Sequence, residues 1–222
     1  MSRSAIRQVI AFFTMSGLLT LAACQDREDS VASSKEAQQV ERPANTRQGQ
    51  IWAPDEGDHL WVFAESKDNL GSGGEFHIYM DSETHPSASA SFSRFALGVG
   101  GGLPEHRHDK TEEIAYFVSG EGVARIYVDG EPNDVPVAPG YVWYNPPNVW
   151  HSITNTADEP LVLVFATIPN EKKGLLSFFR KISVKPGEEP TTLPPEEFAN
   201  IATEHDMILR PPATESETME SQ

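Results

Sequence analysis

One cysteine stands among the 222 residues, at position 24. With no second thiol in the chain, no intrachain disulfide can form. A structural zinc knot built on thiolates is excluded for the same reason. Positive charge is scarce as well: 17 Lys and Arg face 33 Asp and Glu, for a net charge of −16 at pH 7. Nucleic acid requires a basic footprint, and adsorption to anionic lipid requires one too, so both are excluded as partners. Long hydrophobic runs are missing. The charge-free stretch at residues 9–23 is interrupted by Thr14, Ser16, Gly17 and Thr20, and is shorter than the ~20 apolar residues that span a bilayer. No long internal repeat occurs, and no helical periodicity precedes residue 170.

What the N-terminus does contain is a leader. Arg3 and Arg7 precede the apolar stretch, and small residues close it, the layout of a secretory signal peptide. It ends Leu21-Ala22-Ala23-Cys24, which resembles the lipobox of bacterial lipoproteins. That resemblance implies export, cleavage before Cys24 and a multiply acylated cysteine there, since one acyl chain anchors only marginally. Gln25 in place of Asp implies sorting to the outer membrane of a Gram-negative envelope, on its periplasmic face. Removal of residues 1–23 leaves a side-chain charge of about −18, so lipid and not charge would hold the protein to a membrane. Residues 25–50 are polar and free of aromatics. They cannot bury enough surface to order themselves and read as a tether with a reach of roughly 25–30 Å.

From Ile51 onward the signals are β. Residues 59–64 (HLWVFA), 75–81 (EFHIYMD), 90–99, 114–118, 123–128 and 161–168 are short runs of aromatic and β-branched residues, with GSGG, GGG, DG and NPPN between them. Many short strands with turn signals predict an all-β sandwich or barrel over residues 51–170. Two helical segments follow, at residues 174–181 and 195–207, the second with proline at its start and acids in its first turn. The expected organisation is therefore a signal peptide (1–23), Cys24 and tether (24–50), barrel (51–170), helical appendage (171–212) and acidic tail (213–222).

Within the barrel, HRHDKTEEIAYFVSGEG at residues 106–122 carries the chemistry. Side chains two apart on a strand share a face, so His106 and His108 can aim at one point. Glu113 lies at an odd offset from His108, and joins them only if Asp109-Lys110-Thr111 turns the chain. Downstream, GYVWYNPPNVWH ends on another histidine, His151, just after a proline turn.

The two stretches closely resemble the two motifs of the cupin superfamily. Gly100, His106, His108, Glu113 and Gly120 meet every spacing of the first. Gly140, Pro146, His151 and Asn155 meet the second, with Asn148 where glycine is usual. Asparagine tolerates left-handed backbone, so that turn is retained on paper. The resemblance implies a jelly-roll (double-stranded β-helix) barrel holding one metal on His106, His108, Glu113 and His151. The position of Gly120 selects Glu113 over Glu112. Three imidazoles and a carboxylate suit a divalent transition ion (Fe, Mn, Co, Ni or Zn) and leave about two positions open.

The same resemblance, with a looser one in the C-terminal appendage, implies dioxygenase chemistry of the quercetinase-like kind on a small-molecule substrate, with Glu113 as both ligand and catalytic base. A metal-dependent lyase, isomerase or decarboxylase is the alternative, as is a non-catalytic module that binds a metal or small ligand. Both faces of residues 114–118 are apolar, so the outer face calls for cover by a second layer, a terminal segment or a partner; a homodimer is the expectation. His59, His77, His85 and His205 read as surface or packed residues, and Tyr141, Trp143, Tyr144 and Trp150 as core.

Overall fold

The structure is a computed structural model that describes residues 49–211; the expectations for the leader, Cys24, most of the tether and the acidic tail lie outside them. Eleven strands form two antiparallel sheets. The larger takes the order β1 (Asp58–Val62), β2 (Gly74–Met80), β3 (Ser91–Leu97), β10 (Leu161–Ile168), β5 (Glu112–Ser119), β8 (Val142–Asn145). The smaller takes the order β11 (Ile208–Leu209), β4 (Gly102–Arg107), β9 (His151–Asn155), β6 (Gly122–Val128), β7 (Glu131–Val137). This is the expected jelly-roll barrel with a small helical part.

Alternation decides which side chains meet between the sheets. Phe76 and Ile78 of β2, Phe95 and Leu97 of β3, Ala115 and Phe117 of β5, and Leu163 and Phe165 of β10 are buried with Ala124 and Ile153 of the opposite sheet. Phe76 stacks on Phe95 at 4.3 Å between ring centroids. On the outer face of β5, Ile114, Tyr116 and Val118 are 42–48% exposed, and Val142 and Tyr144 of β8 are more so. The expected cover is therefore not supplied by the described residues.

Sequence periodicity passed over β7, which carries Pro132 and Pro136. As the edge of its sheet it pairs only with β6, and an edge is where a strand tolerates a missing N–H. The hairpin between them turns on Asp129 and Gly130, both at positive φ (54° and 88°), as a two-residue turn of the primed type requires.

Helix α1 (Leu175–Ile182) is a component of the core. Leu175, Leu176, Phe178, Phe179 and Ile182 are all buried, and Phe179 packs on Phe76 at 4.4 Å. Arg180 ties this helix to the barrel through Asp81 and Asp58, at 2.5 Å each. Helix α2 (Pro195–Glu204) buries only Ala202 completely. The chain then turns through Asp206, at φ 61°, into β11, which pairs with β4.

Candidate metal centre

His106 lies on β4 opposite His151 of β9. Leu103 and His106 are three residues apart, so on a regular strand they would face opposite ways. A bulge between them absorbs the odd residue, and Leu103 packs on the core while His106 lines the cavity between the sheets. Bulges re-aim side chains in this way. His108 follows the end of β4. The chain then bends at Asp109 and Lys110, as the odd offset of Glu113 demanded. Glu113 sits on β5 with the parity of Ala115 and Phe117, and therefore faces inward. Glu112 points outward and accepts a hydrogen bond from the Tyr144 hydroxyl at 3.0 Å.

The four side chains converge. One donor atom from each of His106, His108, Glu113 and His151 lies within 4.8 Å of every other. Glu113 Oε2 is 3.1 Å from His151 Nε2 and 3.6 Å from His108 Nε2. The histidines are 1–2% exposed. Each imidazole is oriented from behind: Nδ1 of His106, His108 and His151 donates to the carbonyl oxygens of Pro104 (2.7 Å), Asp206 (2.6 Å) and Val149 (2.9 Å). A carbonyl can only accept, so the hydrogen sits on Nδ1 and, in the neutral ring, the lone pair sits on Nε2. Such backing fixes the tautomer of a metal-binding histidine. His108 Nε2 is buried with no hydrogen-bond partner among the described residues. An inward lone pair without a donor, beside a carboxylate and two like nitrogens, fits a divalent cation.

Burial, and then the nearby His151 and His108 charges, push the His106 imidazole well below its usual range, so it stays neutral. Burial also pushes His108 down, but the Glu113 carboxylate 3.6 Å from its Nε2 outweighs that, and its pKa is raised above the ordinary 6.5. Burial pushes Glu113 up, and the His108 imidazole beside it together with the hydrogen bond and charge of His151 more than offset this, holding it well below the usual carboxylate range. In the metal-free protein, Glu113 thus contributes stability that is present above about pH 4.5 and lost as pH falls through its depressed pKa. The His108 contribution is complete below about pH 6.5 and lost as pH rises through its raised pKa. A metal must displace the His108 proton. Affinity for Co2+ or Zn2+, measured by chelator competition, is expected to rise with pH through neutrality and level off once His108 is neutral. An affinity independent of pH between 6 and 8 would contradict this.

The turn around His151 is tied to the first motif. Asn148, at φ 64°, takes the left-handed backbone anticipated for it. Its N–H donates to His108 O at 2.6 Å and its Nδ2 to Asp109 O at 3.3 Å. Gly120, at φ 78°, admits no other residue, because a Cβ there would meet Pro160 O at 2.4 Å. Asn155 is structural: buried, it donates to the carbonyls of Leu97, Gly98 and Glu159.

The centre opens on a cavity of about 30 Å3, room for about two waters. Its walls are mainly apolar. Trp143 and Asn145 of β8 line it, as do Leu175 and Phe179 of α1. Trp143, read from sequence as core, sets its ring edge-on to His151 at 5.6 Å, and its Nε1 is buried without a partner among the described residues. No lysine or arginine lines the cavity.

His59, Glu75 and His77 form a second cluster on the outer face of β1 and β2. The two imidazoles are stacked, 4.4 Å apart and 16° from parallel. In-plane lone pairs of parallel rings do not meet at one point, and Arg94 lies 3.6 Å from the Glu75 carboxylate. His59 instead hydrogen-bonds Glu75 at 2.7 Å, so the cluster is a packed polar contact in this conformation.

The family model described as "Cupin domain" matches residues 93–167, which hold all four converging side chains. No curated protein matches the chain. Among solved structures, an oxalate decarboxylase from Lactobacillus farciminis, in complex with formate, is similar over 44% of this chain and 29% of its own, at 27% identity and a TM-score of 0.40. A recombinant oxalate oxidase in complex with glycolate is similar over 49% and 56%, at 18% identity and 0.42. A predicted oxalate decarboxylase from Thermotoga maritima is similar over 54% and 99%, at 26% identity and 0.45. The chain thus spans less than a third of the first of these proteins and just over half of the second. The family match, lying on a two-sheet barrel with His106, His108, Glu113 and His151 gathered between the sheets, supports placing this domain in the cupin superfamily.

Proposed function

We propose that this protein is a metal-dependent enzyme with dioxygenase-type activity on a small molecule, exported and held to the envelope by lipid on Cys24. The observation that carries the catalytic part is the gathering of three inward Nε2 atoms and one ionised carboxylate against a buried, mainly apolar cavity. When bound, a divalent ion there supplies Lewis acidity and, if it is Fe, Mn, Co or Ni, redox capacity. His106, His108 and His151 hold their Nε2 atoms inward against backbone carbonyls. The apolar walls exclude water and strengthen every charge interaction inside. Glu113 takes the proton that a substrate hydroxyl gives up on binding. Its low pKa restricts that role to hydroxyls already made acidic.

The cavity also bears on the substrate. With no cationic side chain in its walls, it suits a neutral or singly charged oxygen donor. A flavonol, the substrate implied by quercetinase-like chemistry, exceeds the space present and enters only if the cavity walls move aside. Small enols and hydroxy ketones fit with less displacement.

The protein loaded separately with each of Fe2+, Mn2+, Co2+, Ni2+ and Zn2+ is to be assayed in an oxygen electrode against small enols, hydroxy ketones, small carboxylates and a flavonol. Oxygen uptake with substrate, abolished by Glu113→Gln, is the expected result. Product without oxygen uptake would replace this reading with lyase or isomerase chemistry, and binding without product would leave a ligand-binding module.

A further inference from the structure

Asp206 is buried at 7% exposure and lies 39 residues beyond the end of the cupin-domain match. It nevertheless accepts five hydrogen bonds from residues 108–111 of the first motif. Its backbone oxygen accepts from His108 Nδ1 at 2.6 Å. Its carboxylate accepts from three consecutive backbone N–H groups: Asp109 to Oδ1 at 2.9 Å, Lys110 to Oδ2 at 3.2 Å and Thr111 to Oδ2 at 3.1 Å. The Thr111 hydroxyl donates to Oδ2 as well, at 2.8 Å. Successive N–H groups curled around one anion form a nest, and here the anion comes from a residue almost a hundred positions away.

These bonds fall on the segment that needs them. The bend at Asp109 and Lys110 is what turns Glu113 back to the histidines, and Thr111 is fully buried. Without the carboxylate, the N–H group and hydroxyl of Thr111 would be left unpaired at a cost no solvent repays. Asp206 is itself held firmly. Met207 beside it is fully buried and donates its N–H to Ala202 O at 2.9 Å, and β11 then pairs with His106 and Arg107 of β4. One residue of the appendage therefore sets both the ring orientation of His108 and the path of the chain to Glu113.

We infer that Asp206 is a positioning residue of the metal centre, and that the C-terminal appendage is through it a working part of the site. The inference rests on the reading of His106, His108, Glu113 and His151 as ligands. Outer partners of this type typically change metal affinity by about 10–100-fold when removed.

Asp206→Gly isolates the side chain, because glycine accepts φ 61° without strain and keeps the carbonyl that receives His108. The expected result is a Co2+ dissociation constant raised about 10–100-fold, with altered visible absorption of the bound Co2+. Asp206→Asn, which also tolerates this backbone, restores part of the affinity. Arg180→Met removes a comparable strap that touches no ligand; it lowers the melting temperature but leaves the Co2+ constant unchanged. Equal Co2+ affinity in Asp206→Gly and the unsubstituted protein would overturn the inference. If the glycine variant does not fold, Asp206→Asn and Thr111→Val are read in the same way.

Should the unsubstituted protein take up no metal, the ligand reading falls, and nitrogen NMR of the metal-free protein still decides the positioning role. His108 is expected as a single Nδ1–H tautomer with slow amide exchange at residues 109–111. In Asp206→Gly, which keeps the carbonyl that receives His108, the slow exchange at residues 109–111 is lost if the carboxylate positions the turn and persists if it does not.

Discussion

His106→Ala should empty the centre at metal concentrations that fill the unsubstituted protein. Four protein ligands that together bind a divalent ion with an apparent ~10–16 kcal/mol contribute roughly 3–4 kcal/mol each, so one lost ligand weakens binding by about 100–1000-fold. His106 is the clearest choice among the four. Burial keeps it neutral, so its removal leaves no buried charge behind, whereas loss of Glu113 would strand the raised charge on His108. It also lies opposite His151 on the pleat, with ring centroids 4.4 Å apart, so the gap it leaves is directly beside the remaining ligands. Metal analysis after dialysis against a weak chelator is the measurement. Stoichiometric metal retained by the alanine variant would mean that the ion, if any, sits elsewhere.

The second large effect is on stability and falls on α1. Phe179 is 1% exposed and touches Phe76, Phe95 and Phe178, so it joins the helix to β2 and β3 of the larger sheet. Phe179→Ala should cost about 3–5 kcal/mol, from lost transfer energy and from a cavity that rigid neighbours cannot close. The void would merge with the cavity beside the centre, because Phe179 lines it already. An apolar void of that kind stays dry and accepts benzene. Denaturant titration should show the loss, and saturating benzene should recover part of it. The Co2+ affinity should stay within a few-fold of the unsubstituted value, since Phe179 makes no hydrogen bond to a ligand. A cost below about 1 kcal/mol would mean that α1 is a cover laid over a self-sufficient barrel.

The parts of this molecule that were legible in the sequence are those governed by local rules. Short runs of aromatic and β-branched residues, EFHIYM and LVLVFATI, mark β2 and β10, and the odd offset between His108 and Glu113 marks the bend at residues 109 and 110. Asn148 announces a left-handed turn by its neighbours. The spacing of both motifs marks the four converging side chains. What was not legible depends on distant pairing. Nothing about Asp206, in TEHDMILR, distinguishes it from any acid after a helix, because its partners lie at residues 108–111. The two prolines of β7 argue against a strand until the strand is known to be an edge. The bulge that re-aims His106 depends on the register with β9. The depth to which Phe178 and Phe179 enter the barrel depends on where the sheets leave a gap.

The position of Asp206 near the end of the chain has a consequence for biogenesis. Chains emerge from the ribosome N-terminus first, at roughly 5–20 residues per second. The bend that brings Glu113 to the histidines waits for a carboxylate about a hundred residues later, and the inner wall waits for Phe178 and Phe179. Until residue 206 has been made, the two histidine motifs are therefore present but unassembled, and the centre closes only after that. Any metal selection by this site would then belong to whichever compartment the chain folds in.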